Sequence, residues 1–276
     1  QQIINGLVLG SIYALVALGY TMVYGILGLI NFAHGEVVMI GALTALTVIK
    51  LLADSGLPGT VVVLIGLLAA IPVCMALGFT IERIAYRPLR NAPRLAPLIT
   101  AIGVSIVLQQ LAMIFWGRNY HAFPPILPTS SREIGGAHIT DVQIVIILLA
   151  VAIMAGLMLL VNRTRLGRAM RATAENPQIA GLMGVNINVI ISATFLIGSA
   201  LAAVAGVMVS ANYSIAHYHM GFILGLKAFT AAVLGGIGNL PGAMLGGVLL
   251  GLIESLGAGY IGDLTGGFLG SHYQDV

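Results

Sequence analysis

Charged side chains are scarce in this chain: Asp, Glu, Lys and Arg make up 8% of its 276 residues, whereas 59% are hydrophobic. A soluble domain usually carries about a quarter charged residues. Apolar runs as long as those found here would leave very large exposed patches in water. The composition therefore excludes a soluble globular protein and predicts a membrane protein.

The sequence has a single cysteine and lacks the sequence motifs of common enzymes. The one cysteine, Cys74, excludes an intrachain disulfide. Neither lysine, Lys50 or Lys227, lies in the Gly-x-x-x-x-Gly-Lys-Ser/Thr pattern of a P-loop, so no ATP site is expected in this chain. The His-Glu-x-x-His metal motif is absent as well, and His217 with His219 form only a weak ligand pair. We therefore expect no catalytic site, no metal and no cofactor in this chain.

Arginine, in contrast, is concentrated in two short clusters that contain eight of the twelve Lys and Arg residues: Arg83, Arg87, Arg90 and Arg94, and Arg163, Arg165, Arg168 and Arg171. They lie at the ends of apolar runs and form no continuous stripe, so no nucleic acid is expected as a partner. Residues 95–117 and 142–162 carry no charge, and each run has about the 20 residues that a helix needs to cross a bilayer. Cationic loops beside such runs stay in the cytoplasm.

The sequence thus predicts one all-α, polytopic transmembrane domain, 1–276, with cytoplasmic loops at about 83–94 and 163–187 and an outer loop at about 118–141. Helical spans are predicted at about 3–24, 60–82, 95–116, 142–162 and 188–211, with another that ends near Lys50. The polar stretch 118–141 predicts an irregular or hairpin-containing cap. Three crossings before Arg83 place the amino terminus outside, although a re-entrant segment within 25–36 would reverse that. Small residues four positions apart, such as Gly6 with Gly10 and Gly247 with Gly251, predict closely packed helices.

The last third of the chain holds two apolar runs on either side of a glycine-rich break at 235–242, which has four glycines and a proline in eight residues. A continuous helix is implausible through such a segment. If each run crosses fully, the break lies at a membrane surface. If the runs are half-helices, it lies inside the bilayer, as in transporters with discontinuous helices. We favour half-helices, so the predicted bundle contains broken or re-entrant helices.

A polar cluster of Asn31, His34 and Glu36 interrupts the apolar amino-terminal region, and Glu36 is the only charged side chain of residues 1–49. Ionisable groups inside a membrane are costly and mark functional sites by default, so the cluster is a candidate site. Two alternatives stay open. The cluster is a polar turn at the membrane surface, or Glu36 forms a structural ion pair with Lys227 or an arginine.

The loop at 163–184 joins two spans on the cytoplasmic side. Arg168 and Arg171 are three residues apart and share a helix face. Asn176 and Pro177 supply a cap and a first turn for a short helix at 178–183, which ends at Gly184. A short amphipathic helix here suits docking to a cytoplasmic partner; the alternative is an ordinary positively charged cytoplasmic loop.

This loop resembles the coupling-helix region of ATP-binding-cassette (ABC) importer permeases. The whole chain resembles the high-affinity branched-chain amino acid permease family, specifically the shorter of its two paired permease subunits. The segments that carry the resemblance are 19–25, 31–36, 81–90, 167–184 and 227–238. It implies a second homologous permease subunit, two cytoplasmic subunits that bind ATP and Mg, and an extracytoplasmic solute-binding protein. The implied mechanism is alternating access, and the implied location is the bacterial cytoplasmic (inner) membrane.

Together, the patterns and the resemblance predict two sets of functional residues. The ATPase-coupling set is Arg168, Arg171, Glu175, Asn176, Pro177, Ala180 and Gly184. The translocation-path set is Asn31, His34, Glu36, Lys227, Gly235, Gly236 and Gly238. The family has another apolar span after the position of Tyr273, Gln274 and Asp275, so a further C-terminal helix is expected.

Alternatives remain for the function. Relatives in the family move urea, amides and other amino acids, so the solute stays open. A self-sufficient secondary transporter or channel would need a network of intramembrane acids or an inverted repeat, and Glu36 and Glu254 are too sparse for an obvious proton relay. An intramembrane enzyme lacks support, because no serine stands in a nucleophile-elbow context.

Overall fold

The computed structural model describes residues 1–90, 92–93, 95–124, 131–134 and 136–264. Arg94 of the first arginine cluster lies outside these ranges, as do positions 273–275 and the further helix expected after them. The helices are α1 (Gln2–Leu27), α2 (His34–Leu51), α3 (Gly59–Ile81), α4 (Leu95–Trp116), α5 (Asp141–Arg163), α6 (Arg165–Glu175), α7 (Pro177–Leu182), α8 (Ile187–Tyr213), α9 (Met220–Leu234) and α10 (Leu240–Leu264). The short strands are β1 (His121–Ala122), β2 (Ser131–Ile134), β3 (Ala137–Thr140) and β4 (Ile215–Ala216).

Among the described residues, seven helices are long and apolar enough to cross a membrane, namely α1 to α5, α8 and α10. The fold is therefore an all-α polytopic bundle, as predicted, and the spans predicted at 95–116, 142–162 and 188–211 correspond to α4, α5 and α8. α3 continues through a π-helical turn, Glu82–Tyr86, and a 3₁₀ turn, Arg87–Leu89. α9 is apolar but has only 15 residues.

The bundle has two ends, an arginine end and a hairpin end. The arginine end holds Arg87, Arg90 and Arg163. The hairpin end holds β2 and β3, which pair antiparallel and confirm the hairpin predicted within 118–141. Gln1 donates a hydrogen bond of 2.9 Å from Nε2 to the carbonyl oxygen of His138 in β3. The amino terminus therefore lies at the hairpin end, opposite the arginines.

The centre of the bundle is formed by α1 and α8, in which 72% of the apolar window is buried, against 28% in α3, α4, α5 and α10. Helix α10 lies along α1. A Cβ added at Gly10 would lie 2.7 Å from the Cα atom of Val248, and one added at Gly6 would lie 2.9 Å from that of Leu252. The small residues therefore allow the two backbones to touch, as their spacing predicted.

Two helices begin inside the bundle instead of at one of its ends. His34, the first residue of α2, lies against Gly19 of α1. By a rise of 1.5 Å per residue, Gly19 is about 12 Å from the end of α1. Residues 28–33 thus turn back into the bundle after the left-handed cap at Gly28 (φ 63°). The first turn of α9 packs there too, because Gly221 touches Gly35.

The glycine-rich break corrects the interpretation that we favoured from the sequence. Gly238 lies against Gly25, close to the carboxyl end of α1, and the adjoining residues share a cavity with α5 and α6 at the arginine end. The break is therefore a turn at one end of the bundle, and α10 is a helix of 25 residues rather than a half-helix. The physical reason is the stripe of small residues, which lets α10 pack along the whole of α1.

Candidate translocation and coupling sites

The Glu36 carboxylate is completely buried in the first turn of α2. Its Oε1 atom accepts hydrogen bonds from Ser105 Oγ at 3.0 Å and from Gln109 Nε2 at 2.7 Å, both in α4. Its Oε2 atom lies against Gly221, where an added Cβ would be 2.8 Å away. Glu36 thus adjoins the first turns of both α2 and α9, and the partial positive charge of helix amino termini favours a carboxylate there.

This geometry decides between the alternatives left open for Glu36. A surface turn is excluded, because the side chain is wholly buried. The suggested ion pair with Lys227 or an arginine is wrong for the residues that the structure describes. The Lys227 ammonium lies 2.8 Å from Glu254 instead, and the arginine ion pairs are with Glu82 or Asp141. Ser105 and Gln109 were not predicted from the sequence. The signal that could have found them is a pair of polar residues four apart within a charge-free span.

Asn31 and His34 are buried beside Glu36 and hold the start of α2. The Asn31 side-chain oxygen accepts hydrogen bonds from the Ala33 amide at 3.2 Å and from the Tyr86 hydroxyl at 3.1 Å. The His34 ring meets the ring of Tyr20 edge to face, with centroids 4.9 Å apart. A Cβ at Gly19 would overlap that imidazole. Asn31 and His34 are therefore held by contacts inside the bundle, and both are buried.

A second polar cluster joins α1, α9 and α10. The Nζ atom of Lys227 lies 2.8 Å from Oε1 of Glu254, and the Tyr13 hydroxyl donates a hydrogen bond of 2.8 Å to Oε2 of the same carboxylate. Glu254 is about 21 Å along α10 from its start by helix geometry, so the pair lies well within the span. The sequence predicted Lys227 in the path, but its partner Glu254 was missed. Within 176–262 these are the only charged side chains, so electroneutrality could have paired them.

Two cavities adjoin these clusters. The first has a volume of about 370 Å³ and is lined by Tyr20, Phe32, Ile102, Ser105, Ile106, Gln109, His219, Phe222, Gly225 and Leu226. The second, of about 390 Å³, opens toward the hairpin end and is lined by Tyr13, Tyr120, Val209, Tyr213, Ile215, His217, His219, Met220, Ile223, Leu224 and Lys227. His219 borders both. Each cavity has the size and the mainly apolar lining of small-molecule sites.

The arginine end contains an ionic cluster that the sequence analysis did not predict. Glu82 is buried in the π-helical turn after α3 and accepts hydrogen bonds from Arg87, from Arg90 and from Ser192 Oγ at 2.9 Å. Arg90 also donates a hydrogen bond of 2.6 Å to Asn188. The cluster therefore fastens the end of α3 to the start of α8. An acid directly before three arginines in the sequence was the available signal.

Helix α6 was not predicted as a separate element, but it exists and packs against the end of α5. Its Gly167 lies so close to Val161 that a Cβ would overlap the carbonyl oxygen of that residue. Arg171 donates a hydrogen bond to the same carbonyl and another of 3.5 Å to Asn162. Arg171 thus holds α6 against α5, although its side chain is exposed like those of Arg168 and Glu175.

Helix α7 forms where the short helix was predicted. The Asn176 side-chain oxygen accepts a hydrogen bond of 3.0 Å from the Ile179 amide, Pro177 occupies the first turn, and Gly184 has a φ of 86°. Ala180 faces inward, while the apolar tip, defined as Ile179, Leu182 and Met183, is 59%, 87% and 80% exposed. A cluster of apolar side chains this exposed at one end of a protein is typical of an interaction surface.

The glycine break lies next to helix α6. Gly236 and Gly238 have φ values of 86° and 95°, and Gly235 packs directly on Gly242. A cavity of about 290 Å³ is shared by residues of α1, α5, α6 and the break: Thr21, Met22, Gly25, Ile26, Met158, Val161, Asn162, Met170, Arg171, Ala174, Gly238, Asn239, Leu240 and Pro241. Of the predicted path glycines, Gly238 therefore shares a cavity with α6, and none of the three is among the described residues that line the cavity beside Glu36.

Comparison with known proteins gives a uniform result. A family model described as "Branched-chain amino acid transport system / permease component" matches residues 2–271. The chain is 51% identical to the high-affinity branched-chain amino acid transport system permease protein BraD of Pseudomonas aeruginosa and 46% identical to LivH of Escherichia coli, over all of this chain and 89% of each relative. It is 28% identical to the probable LivH of Methanocaldococcus jannaschii, over 98% of this chain and 85% of that protein. No solved structure matches it.

Proposed function

Because this chain belongs to the family of branched-chain amino acid transport permeases, we propose that it is the membrane-spanning subunit of an ATP-driven importer and that it forms the translocation path for branched-chain or related amino acids. It acts with a second homologous permease subunit, two cytoplasmic subunits that bind ATP and Mg, and an extracytoplasmic solute-binding protein. The complex lies in a bacterial cytoplasmic membrane with the arginine end inside, as positively charged loops require.

The observation that carries the proposal is the exposed apolar tip of α7 at the arginine end. The chain has no P-loop sequence, so energy from ATP must arrive through a contact with another subunit. The tip supplies apolar side chains for that contact, and the surrounding arginines keep it on the cytoplasmic side. Arg168 and Glu175, both exposed, provide a polar rim around it.

The contacts of α6, which precedes α7, suggest how a movement of α7 is transmitted to the helices that form the translocation path. Helix α6 is held to α5 by Arg171, so the α6–α7 pair moves with α5. Met170 and Ala174 of α6 face the glycine break across the shared cavity. Glycines with positive φ allow that turn to change shape at little conformational cost. Motion of α7 is thereby passed to the start of α10 and the end of α1, which changes access at the arginine end.

The experiment is reconstitution of the complete complex in liposomes with the binding protein present. We expect leucine uptake that requires ATP and persists when the proton gradient is collapsed, with isoleucine and valine competing better than phenylalanine or urea. Uptake that stops with the proton gradient, or that occurs without the ATPase subunits, would contradict the proposal. Preferential competition by urea would instead assign the chain to amide transport within the same family.

A further inference from the structure

The cavity at the hairpin end has a charged wall well inside the membrane-spanning part of the bundle. Lys227 lines it, and the side chains of Lys227 and Glu254 are 22% and 11% exposed. Tyr13, which also lines the cavity, donates a hydrogen bond to Oε2 of Glu254 and so holds that carboxylate in place. Lys227 is therefore anchored by Glu254 and is also part of the cavity lining.

A partly exposed ion pair at this depth cannot face lipid at low cost. Ionisable groups within membrane spans face the interior of a bundle or a water-filled cavity. The side of the subunit where α1, α8 and α9 surround this cavity must therefore be turned toward water or protein. Tyr120 and Tyr213, which are 73% and 52% exposed at its rim, are also suited to an aqueous entrance.

Among the described residues, the cavity lining contains hydrogen-bond donors and one cation but no acid. Its polar groups are three tyrosine hydroxyls, two imidazoles and one ammonium, and none of the described lining residues is an acid. Its other members are aliphatic or thioether side chains, among them Val209, Ile223 and Leu224. A ligand that matches the polar and the aliphatic residues of this lining has a carboxylate and a short branched hydrocarbon group.

We propose that this cavity is an entry site that binds the carboxylate of a small amino acid through Lys227, with the aliphatic wall receiving the side chain. Glu254 and Tyr13 are positioning residues for the lysine. The inference rests on the proposed function, since it names where that substrate binds. The location agrees with import, because the cavity opens at the hairpin end, where a solute-binding protein delivers its cargo.

The first test separates a binding role of Lys227 from a purely structural ion pair. The double variant Lys227→Met/Glu254→Gln removes both charges together, so no unpaired charge is left buried, and the amide oxygen that replaces the carboxylate still accepts the hydrogen bond from Tyr13. We expect the complex to assemble with its ATPase subunits while leucine uptake falls at least about tenfold, the loss typical of one charge-assisted hydrogen bond. Lys50→Met, which removes the other lysine from the exposed end of α2, should transport normally. Normal uptake by the double variant would show that the pair only joins helices.

The second test measures binding in the wild-type complex without ATP or binding protein, so its result does not depend on transport. The complex is irradiated with photo-leucine, a diazirine analogue of leucine, and the labelled peptides are mapped. We expect labels on peptides that contain Tyr13, Tyr213 or Ile223. Leucine and 4-methylpentanoate, which keep the carboxylate, should suppress labelling, whereas 3-methylbutylamine, which lacks it, should not. Labelling outside the cavity, or equal protection by the amine, would overturn the inference even if transport is intact.

Discussion

The amide nitrogen of Gln109 lies 2.7 Å from Oε1 of Glu36, so α4 holds the carboxylate at the start of α2 through a neutral group. A buried carboxylate usually requires a cation or several donors. Here the hydroxyl of Ser105 adds a second donor, and the first turns of α2 and α9 supply the field of two helix dipoles. The arrangement makes one negative charge the meeting point of two helices that begin inside the bundle.

We predict that Glu36→Gln impairs uptake while the complex still assembles. Glutamine has nearly the same volume and still accepts hydrogen bonds from α4, but it removes the charge that attracts the first turns of α2 and α9. Uptake and copurification of the ATPase subunits are the two measurements. Glu133→Gln, which removes an exposed carboxylate from β2, serves as the control and should leave uptake unchanged. Normal uptake by Glu36→Gln would remove this carboxylate from the mechanism.

The close approach of α2 and α9 gives a prediction about stability. A Cβ at Gly221 would be forced against Gly35 and the Glu36 carboxylate, so Gly221→Ala should destabilise the chain by about 1–3 kcal/mol, as overpacking does. Gly103→Ala is the matched control, because an added Cβ there meets nothing within 4 Å. In the middle of α4 it should raise stability by about 0.5–1 kcal/mol. The measurement is the melting temperature of each variant in detergent. Equal values for the two variants would contradict the close packing of α2 on α9.

The Glu82 cluster gives a prediction about ion pairs. Glu82→Ala leaves Arg87 and Arg90 without their shared carboxylate in a largely buried position, which should cost about 3 kcal/mol. The pair of Arg132 and Asp141 is far more exposed, at 69% and 27%. Arg132→Ala should therefore cost less than about 1 kcal/mol. Thermal unfolding of the two variants tests the difference, and a cost for Glu82→Ala as small as for Arg132→Ala would show that the cluster contributes little.

Much of the fold could be predicted from the sequence because a bilayer imposes simple rules on composition. The helical span predicted at about 95–116 matches the bounds of α4, since few other structures satisfy the backbone of an apolar segment in lipid. The capped helix after Asn176 could also be predicted, because a side-chain cap and a proline act locally. In both cases the determining interactions lie within a few residues of each other.

The position of the glycine break could not be predicted in this way, and the pairing of Lys227 with Glu254 follows only from a charge balance over a long stretch of the chain. The break was favoured inside the bilayer, yet it lies at the arginine end, because the packing of Gly10 on Val248 fixes the height of α10 relative to α1. Similarly, Lys227 and Glu254 are neighbours only because α9 and α10 form a hairpin around that break. Contacts between different helices decide these features, and local sequence rules do not display them.

The apolar tip of α7 leads to a prediction about assembly. Leu182→Asp places a charge on a side chain that is 87% exposed in this subunit, so the permease itself should fold and keep its melting temperature. If the tip contacts an ATPase subunit, burying the new carboxylate would cost several kcal/mol, and copurification of that subunit should be lost. Leu57→Asp, at an exposed leucine before α3 at the hairpin end, should leave assembly unchanged. Full copurification with Leu182→Asp would show that the ATPase docks elsewhere.

Gly184 tests whether α7 also transmits force. Its φ of 86° is strained for any other residue, and a Cβ there would meet nothing within 4 Å. Gly184→Trp should therefore alter the direction in which the chain leaves α7, while the Cβ atom itself has open space around it. We expect ATP hydrolysis to continue while uptake per ATP falls severalfold, because the joint between α7 and α8 no longer passes the movement on. Gly136→Trp, at a hairpin glycine with a φ of 80° and equally open surroundings, introduces the same strain away from the ATPase and should leave the ratio of uptake to hydrolysis unchanged. An unchanged ratio in Gly184→Trp would contradict a lever role for α7 and leave it as a docking element alone.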